Sequence, residues 1–265
     1  MTDGGVGEPE LASYLAFAER LADAARTVTL KHYRQGIGFE AKDDHSPVTA
    51  ADRESESVMR AMIKDAYPEH GVVGEEEAAT LPDAEFVWVL DPVDGTRSFA
   101  IGKATYGVLV GLEHHGRPII GVIDEPPLST RWCGVRGRPT TYNGAPARVR
   151  DCTGVANAWL TATSPQMFRE GIEFERYENL RRRCGQVVYG GECLGYGFLA
   201  CGWVDLVVEA TLGQYDYSAL VPVVEGAGGI ITDWAGAPLT GASDGTVVAA
   251  VNAELHAEAL ALLAA

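Results

Sequence analysis

The amino-acid sequence predicts a layered α/β fold, and three observations carry that expectation. The N-terminal stretch has helical apolar spacing, the middle holds a series of strand-length apolar segments, and the part after Thr153 alternates strand and helix signals. Residues before Pro9 read as a flexible arm. Across 10–34 the apolar positions Leu11, Leu15, Ala18, Ala22 and Ala25 alternate steps of four and three, which marks an amphipathic helix. A polar loop leads to a second helix carrying Val58, Met62, Ile63 and Ala66, with Thr49 or Asp52 near its start and Pro68 as its stop.

Strand-length segments follow. Residues 86–90 form a bounded apolar run that ends at Asp91. Segments 106–112 and 118–123 flank His114-His115-Gly116-Arg117 as in a hairpin, and 131–135 with Tyr142-Asn143-Gly144 adds a strand and a turn. The first half therefore reads as helices on a largely antiparallel sheet. Further on come strands at 156–162, 186–189, 206–209, 230–232 and 246–251. Helices are expected at 165–183, 193–201 and 217–225, the last closed by Gly226 and Gly228, with a final helix from Ala253. No repeat, low-complexity tract or linker interrupts the chain. The expectation is one domain over 1–265, with two intimately packed halves, 9–152 and 153–265, sharing a continuous core.

The formal net charge of −16 repels nucleic acid and anionic membrane surfaces, so neither is expected as a partner. A phosphorylated substrate stays compatible if a bound cation reverses the sign locally. The acidic, polar N-terminus shows no basic segment followed by an apolar stretch, so no secretion signal is expected, and no apolar run is long enough to span a bilayer. Cys133, Cys152, Cys184, Cys193 and Cys201 are odd in number and lack zinc-type spacing, so reduced, buried thiols in a cytoplasmic protein are expected.

The most informative stretch runs from Trp88 through Asp91-Pro92-Val93-Asp94-Gly95-Thr96 to Phe99. A buried strand delivers Asp91 at its carboxyl end, where α/β ligands bind. Pro92 stiffens the turn, and Gly95 allows close backbone approach to a ligand. Asp91 and Asp94 can then converge on one point. If Thr96 opens a helix, the N–H groups of Gly95 and Thr96 make an anion site. Two carboxylates beside a phosphate-sized cradle suit a hard divalent cation bridging protein and phosphate. Alone, this stretch is equally an ordinary Asp-rich turn. Upstream, Gly74-Glu75-Glu76-Glu77 again sets acids directly after a short apolar strand, with Glu77 read as solvated. Downstream, Asp216 stands at a helix start, where capping is the ordinary reading.

Taken together and in this order, the segments 74–76, 91–96 and 216–229 resemble the inositol monophosphatase superfamily of lithium-sensitive, metal-dependent phosphatases. That family's marks are Gly-Glu-Glu, Asp-Pro-hydrophobic-Asp-Gly-Thr, and a late Asp opening a helix that ends Glu-Ala-Gly-Gly. The resemblance spans roughly 11–262. Tyr215 stands where Trp usually precedes the Asp, and Gly226 where a second small residue is usual. It implies alternating α-β-α-β-α layers of the inositol monophosphatase and fructose bisphosphatase type. The first half would carry the metal site, the second the substrate pocket, and the enzyme would commonly be a homodimer.

Residue by residue, the resemblance makes Glu75, Asp91, the Val93 carbonyl, Asp94 and Asp216 metal ligands. Thr49-Ala50-Ala51-Asp52 matches a Thr-x-x-Asp segment whose Asp partners the Thr of the central motif, with helix capping as the alternative for Asp52. An all-oxygen set without histidine favours magnesium, two or three ions per site. Thr96, Asp52 and Glu75 take the catalytic roles: a water oriented by the Thr96 hydroxyl, and through it by Asp52, attacks phosphorus in line. Glu76 is expected to orient a further water.

The family acts on several small phosphate monoesters, and the pocket around the leaving alcohol decides between them. Residues 189–196, with 132–142 and 215–233, look most like the histidinol-phosphate phosphatase branch. Gly190, Gly191, Glu192 and Glu209 are then substrate-pocket residues beside Glu76, Gly95, Thr96 and Asp216. An acidic wall at Glu192 and Glu209 favours an ammonium- and imidazole-bearing alcohol over a neutral polyol. A solvated helix-start acid is the plainer reading of Glu192. Inositol 1-phosphate is the alternative substrate, followed by other small sugar or nucleotide phosphates. A catalytically dead relative would lack a ligand, and none is missing. A calcium module would show alternating acids in a loop, which are not found.

Overall fold

The computed structural model describes residues 6–35, 40–41 and 47–265. Helix α1 (Glu8–His32) starts with Pro9 in its first turn, and Glu8 and Glu10 complement the positive end of its dipole. Its buried stripe is Tyr14, Phe17, Ala18, Leu21, Ala22 and Ala25. A short antiparallel pair, β1 (Glu40–Ala41) and β2 (Pro47–Val48), precedes helix α2 (Ala50–Ala66). Thr49 caps α2, its hydroxyl accepting from the Ala51 N–H at 3.2 Å. The buried face of α2 is Asp52, Ser55, Glu56, Met59 and Ile63. That stripe differs from the one the apolar spacing suggests, because the inward positions of its first turns are polar and face the acidic site.

The first sheet comprises, among the described residues, β3 (Gly71–Gly74), β4 (Phe86–Asp94), β5 (Gly107–His114), β6 (Arg117–Glu125), β7 (Thr130–Val135), β8 (Thr141–Tyr142) and β9 (Ala145–Pro146), paired in that order. Only β3 and β4 are parallel; the rest are antiparallel. Between β4 and β5 lies the short helix α3 (Thr96–Ala100). The second half adds β10 (Trp159–Ala162), α4 (Ile172–Arg181), β11 (Gln186–Tyr189), α5 (Leu194–Ala200), β12 (Leu206–Glu209), α6 (Gln214–Tyr217), α7 (Leu220–Gly226), β13 (Ile230–Thr232), β14 (Val247–Ala250) and α8 (Ala253–Leu263). Its sheet order is β11-β10-β12-β14-β13, with β11, β10 and β12 parallel.

The layers follow from who packs on whom. Helices α1 and α2 cover one face of the first sheet, through a cluster around Phe17, Leu21, Met59 and Trp88. On the other face, α5 and α7 lie between the two sheets, and α4 and α8 close the far side of the second sheet. The resulting stack is α-β-α-β-α. The central cluster joins Leu109, Ile123 and Trp132 of the first sheet to Leu194, Leu206, Val223 and Val248 of the second half. Burying so many large apolar side chains supplies the main driving force for docking the halves. No described helix is long and apolar enough to cross a membrane, and all the cysteines are free thiols.

Two expected helices come out differently. The one expected over 217–225 is divided into α6 and α7. Pro222 has no N–H to give the Ser218 carbonyl, so the ladder cannot run through. The one expected over 165–183 begins only at Ile172, after a single 3₁₀ turn at Pro165–Met167.

A glycine trough seats this divided segment. Gly111, Gly121 and Gly134 lie side by side on β5, β6 and β7. A Cβ on Gly121 would stand 1.8 Å from the Ala219 carbonyl oxygen, and one on Gly134 2.4 Å from the Pro222 carbonyl. The helix backbone therefore rests directly on the sheet. Buried Glu113 clamps the same segment, accepting from Gln214 Nε2 at 3.0 Å and Ser218 Oγ at 2.9 Å. In an open strand, Gly→Ala would be expected to stabilise by limiting the unfolded chain. Gly121→Ala is instead expected to lower stability by about 1–3 kcal/mol, the usual cost of overpacking. A urea midpoint that is unchanged or raised would show that α7 does not rest in the trough.

Candidate active site

The site begins with an irregularity in β4. Asp91 pairs with Leu109 and Asp94 with Gly107, so three steps on β4 oppose two on β5. This bulge has a physical consequence. In a regular strand, residues three apart point to opposite faces; one extra residue brings Asp91 and Asp94 to the same side. Pro92 sits inside the bulge, where its missing N–H costs no ladder bond. The apolar run ends at Asp91, whereas the strand continues through the motif to Asp94. Within the bulge the Val93 N–H donates to Asp91 Oδ1 at 2.9 Å.

Asp94 is fixed from the far half of the chain, by the Cys193 N–H donating to its Oδ2 at 2.6 Å. Asp216, in the first turn of α6, accepts from the Gly213 N–H at 2.5 Å. Its capping role is thus real, and its remaining oxygen faces the other acids. Carboxylate oxygens of Asp91, Asp94 and Asp216 lie within 4.8 Å of one another. So the structure brings together three of the four side-chain ligands that the sequence proposed. A second group of the same closeness is Asp52, Glu75 and Glu76. Glu75 lines the same cavity as Asp94 and Asp216, and its charge acts on Asp91.

Asp52 combines both roles assigned to it. One oxygen, Oδ2, accepts from the backbone N–H of Thr49 at 3.0 Å and from the Thr49 hydroxyl. The other, Oδ1, lies 3.2 Å from Thr96 Oγ1. The Thr96 hydroxyl also reaches the Val93 carbonyl at 3.2 Å, so that carbonyl, expected as a ligand, already has a protein partner within reach. Gly95, at φ +87°, turns the chain from β4 into α3 in the left-handed region that a glycine adopts without cost.

Several contributors were not read from the sequence. Fully buried Glu56 holds the loop that carries Glu75: it accepts from the N–H groups of Glu76 at 2.8 Å and Glu77 at 3.0 Å, and from Arg60 Nε at 2.8 Å. A Cβ on Gly74 would stand 2.3 Å from its carboxylate. The available signal was its place four residues after Asp52 on α2, the same helix face. Ser98, Thr163 and Tyr196 are likewise polar partners drawn from distant segments.

Beside the acids opens a cavity of about 210 Å³, lined by Glu75, Asp94, Gly95, Thr96, Glu192, Glu209 and Asp216 among others. Glu192 accepts from Ser98 Oγ at 2.7 Å. Glu209, buried at the end of β12, accepts from the Thr163 N–H and hydroxyl at 2.9 and 2.6 Å and from Tyr196 OH at 3.0 Å. Gly190 and Gly191 do not line the cavity. They shape the turn delivering Glu192: Gly190 is at φ +84°, and a side chain on Gly191 would press on Thr161. Glu76 also stays off the cavity wall and belongs to the group around Asp52.

Burial, and then the charges of Glu75, Asp94, Asp216 and Asp52, push the Asp91 carboxyl well above the usual range. Burial and Asp94 do the same to Asp216. Burial raises Glu209 to about 7. No lysine or arginine pairs with Asp91, Asp94 or Asp216 among the described ion pairs. A buried, all-oxygen, mutually repelling donor set fits a hard divalent cation, which would relieve the repulsion.

Comparison with known proteins agrees with this geometry. The inositol monophosphatase family model matches residues 10–264. The chain is 42% identical over 264 residues to the chloroplastic bifunctional phosphatase IMPL2 of Arabidopsis thaliana, covering 96% of this chain and 76% of that protein. It is 34% identical over 256 residues to a histidinol-phosphatase of Mycobacterium tuberculosis, covering 94% and 97%. A solved inositol monophosphatase from Zymomonas mobilis superposes with a TM-score of 0.88 at 42% identity, covering 96% and 98% of the two chains. A strand bulged to aim two aspartates, a late aspartate on a capped helix and a match along nearly the whole chain make this protein a member of the inositol monophosphatase family of metal-dependent phosphatases.

Proposed function

We propose that this phosphatase is magnesium-dependent and prefers histidinol phosphate. The observation that carries the substrate assignment is the wall of the cavity facing Asp94 and Asp216. Glu192 and Glu209 both present carboxylates there, each held in place by hydroxyl donors. A leaving alcohol that carries an ammonium and an imidazole meets complementary charge on that wall, whereas a neutral polyol brings no charge to it. The histidinol-phosphatase relative supports the reading. Inositol 1-phosphate is a second reading, supported by the inositol monophosphatase from Zymomonas mobilis at 42% identity.

Glu75, Asp91, Asp94 and Asp216 would hold the cation, which when bound neutralises charge developing on the phosphate oxygens and acidifies water. The residues of the chain then divide the remaining work. Gly95 and Thr96 bring the start of α3, where N–H groups lack helical partners, against the cavity that receives phosphate. Asp52 accepts a hydrogen bond from the Thr96 hydroxyl, which leaves a Thr96 lone pair to accept from the attacking water and orient it. Glu192 and Glu209 hold the leaving alcohol.

Activity is expected to require added magnesium and to vanish in EDTA. Asp91→Asn should lower kcat by orders of magnitude, since losing charge stabilisation of this kind removes several kcal/mol. A near-normal rate in EDTA would exclude the metal reading. Lithium inhibition assayed beside it probes the same site.

Thr96→Ala and Asp52→Asn should each lower kcat with little change in KM. Their double variant should lose far less than the product of the two, because they act as one unit. Independent, multiplying losses in a double-mutant cycle would break the Asp52–Thr96 relay.

Glu192→Gln keeps an acceptor for Ser98 and removes the charge. It should reduce kcat/KM for histidinol phosphate by about 1–3 kcal/mol and leave a neutral-alcohol phosphate nearly unchanged. Equal losses on both would assign Glu192 to the structure of the site. Faster wild-type hydrolysis of inositol 1-phosphate would overturn the substrate while leaving the magnesium phosphatase in place.

A further inference from the structure

The opposite end of the first sheet carries a cluster of different chemistry. The β5–β6 hairpin turns through His115 and Gly116, with φ of 50° and 71°, and His114 pairs with Arg117 across it. Consecutive left-handed residues make the tight two-residue turn that suits a twisted hairpin, a position where asparagine or glycine is usual and histidine costs strain. That conformation has a consequence. Neighbouring strand residues point to opposite faces, but here the backbone folds the second imidazole back, and the two rings stand with centroids 4.3 Å apart. The turn is tied to the start of β4, because the His115 N–H donates to the Glu85 carbonyl at 2.8 Å. This brings in a carboxylate. Glu85 Oε1 lies 3.2 Å from His114 Nε2 and 3.9 Å from His115 Nε2, and donor atoms of all three lie within 4.8 Å of one another.

We propose that Glu85, His114 and His115 form a second metal site, for a late first-row divalent ion such as zinc. Two ligands each about 2.1 Å from a tetrahedral zinc stand about 3.4 Å apart, and the two Glu85–imidazole separations bracket that value. Two imidazoles and one carboxylate are a borderline donor set that selects zinc, nickel or copper over magnesium. His114 is stacked on Phe86, centroids 4.7 Å apart, so one ligand ring is already oriented. Glu85 and His115 are exposed, which gives an ion entry and leaves room for water as a fourth ligand. Along β4 the cluster stands roughly 17 Å from Asp91, at about 3.4 Å per residue. It shares no residue with the acidic site and takes the opposite class of ion, so a chain can carry both.

The test uses the full chain, stripped with EDTA and returned to excess magnesium. Zinc is titrated against a chromogenic chelator, and cobalt is followed by its visible absorption. The wild-type chain should bind one more equivalent of zinc than either His115→Asn or Glu85→Gln, or bind that equivalent more than about tenfold tighter. Cobalt should give an imidazole-type spectrum that both variants lose. Asparagine favours the left-handed turn, so His115→Asn keeps the hairpin, and equal thermal midpoints of the metal-free proteins verify that. Magnesium-supported phosphatase activity should be unchanged in both variants. Equal zinc stoichiometry and affinity in all three chains would overturn the site, assigning any bound zinc to the acidic cluster.

Discussion

Like charges held at close quarters set the terms for this structure. Asp91, Asp94 and Asp216 carry acceptor oxygens within 4.8 Å of one another, and Asp91 is only 1% exposed. Unscreened carboxylates in such a place repel strongly, and each would turn outward if it were free to do so. None is. A backbone N–H grips each one, from Val93, Cys193 and Gly213 respectively. Those three donors belong to a strand bulge, a helix start and a loop from different parts of the chain. Much of the architecture serves to hold these segments against their mutual repulsion.

The bulge supplies two acids; packing supplies the third. Asp216 reaches the cluster because the chain around it lies flat on β5, β6 and β7, where the row of glycines removes every Cβ that would lift it. Glu113 then locks the register through Gln214 and Ser218. Glu75 arrives differently, on a loop whose N–H groups are gathered by Glu56 from the buried face of α2. Carboxylates thus do two jobs here. Some face the cavity, and others, fully satisfied by donors, set the backbone that presents them.

Local features were the legible ones. The strands at 186–189, 206–209 and 230–232 coincide with their apolar runs, and the three acidic segments stood out by their order along the chain. The bulge was not legible, because Pro92 reads as a strand stop and pairing register depends on a partner strand. The buried face of α2 escapes the apolar pattern for a related reason: Asp52, Ser55 and Glu56 point inward, which reverses the usual sign of the pattern. The pocket wall rests on contacts between residues far apart in sequence, Thr163 with Glu209 and Ser98 with Glu192, separated by 46 and 94 positions. No local pattern encodes those. The glycine trough has residues at 111, 121 and 134, a spacing that has meaning only once three strands are laid side by side.

The divided carboxylate of Asp52 ties the proposed chemistry to the first turn of a helix. One oxygen closes the first turn of α2 onto Thr49, and the other faces Thr96. Helix ends fray at far lower free energy than cores unfold. This end is packed: Thr49, Ala51 and Asp52 are buried, and Ala51 packs with Val93, Phe99 and Tyr106, so opening the turn would disturb the cluster behind the bulge as well. On the proposed mechanism, the orienting carboxylate therefore stays in place only while that small cluster stays packed.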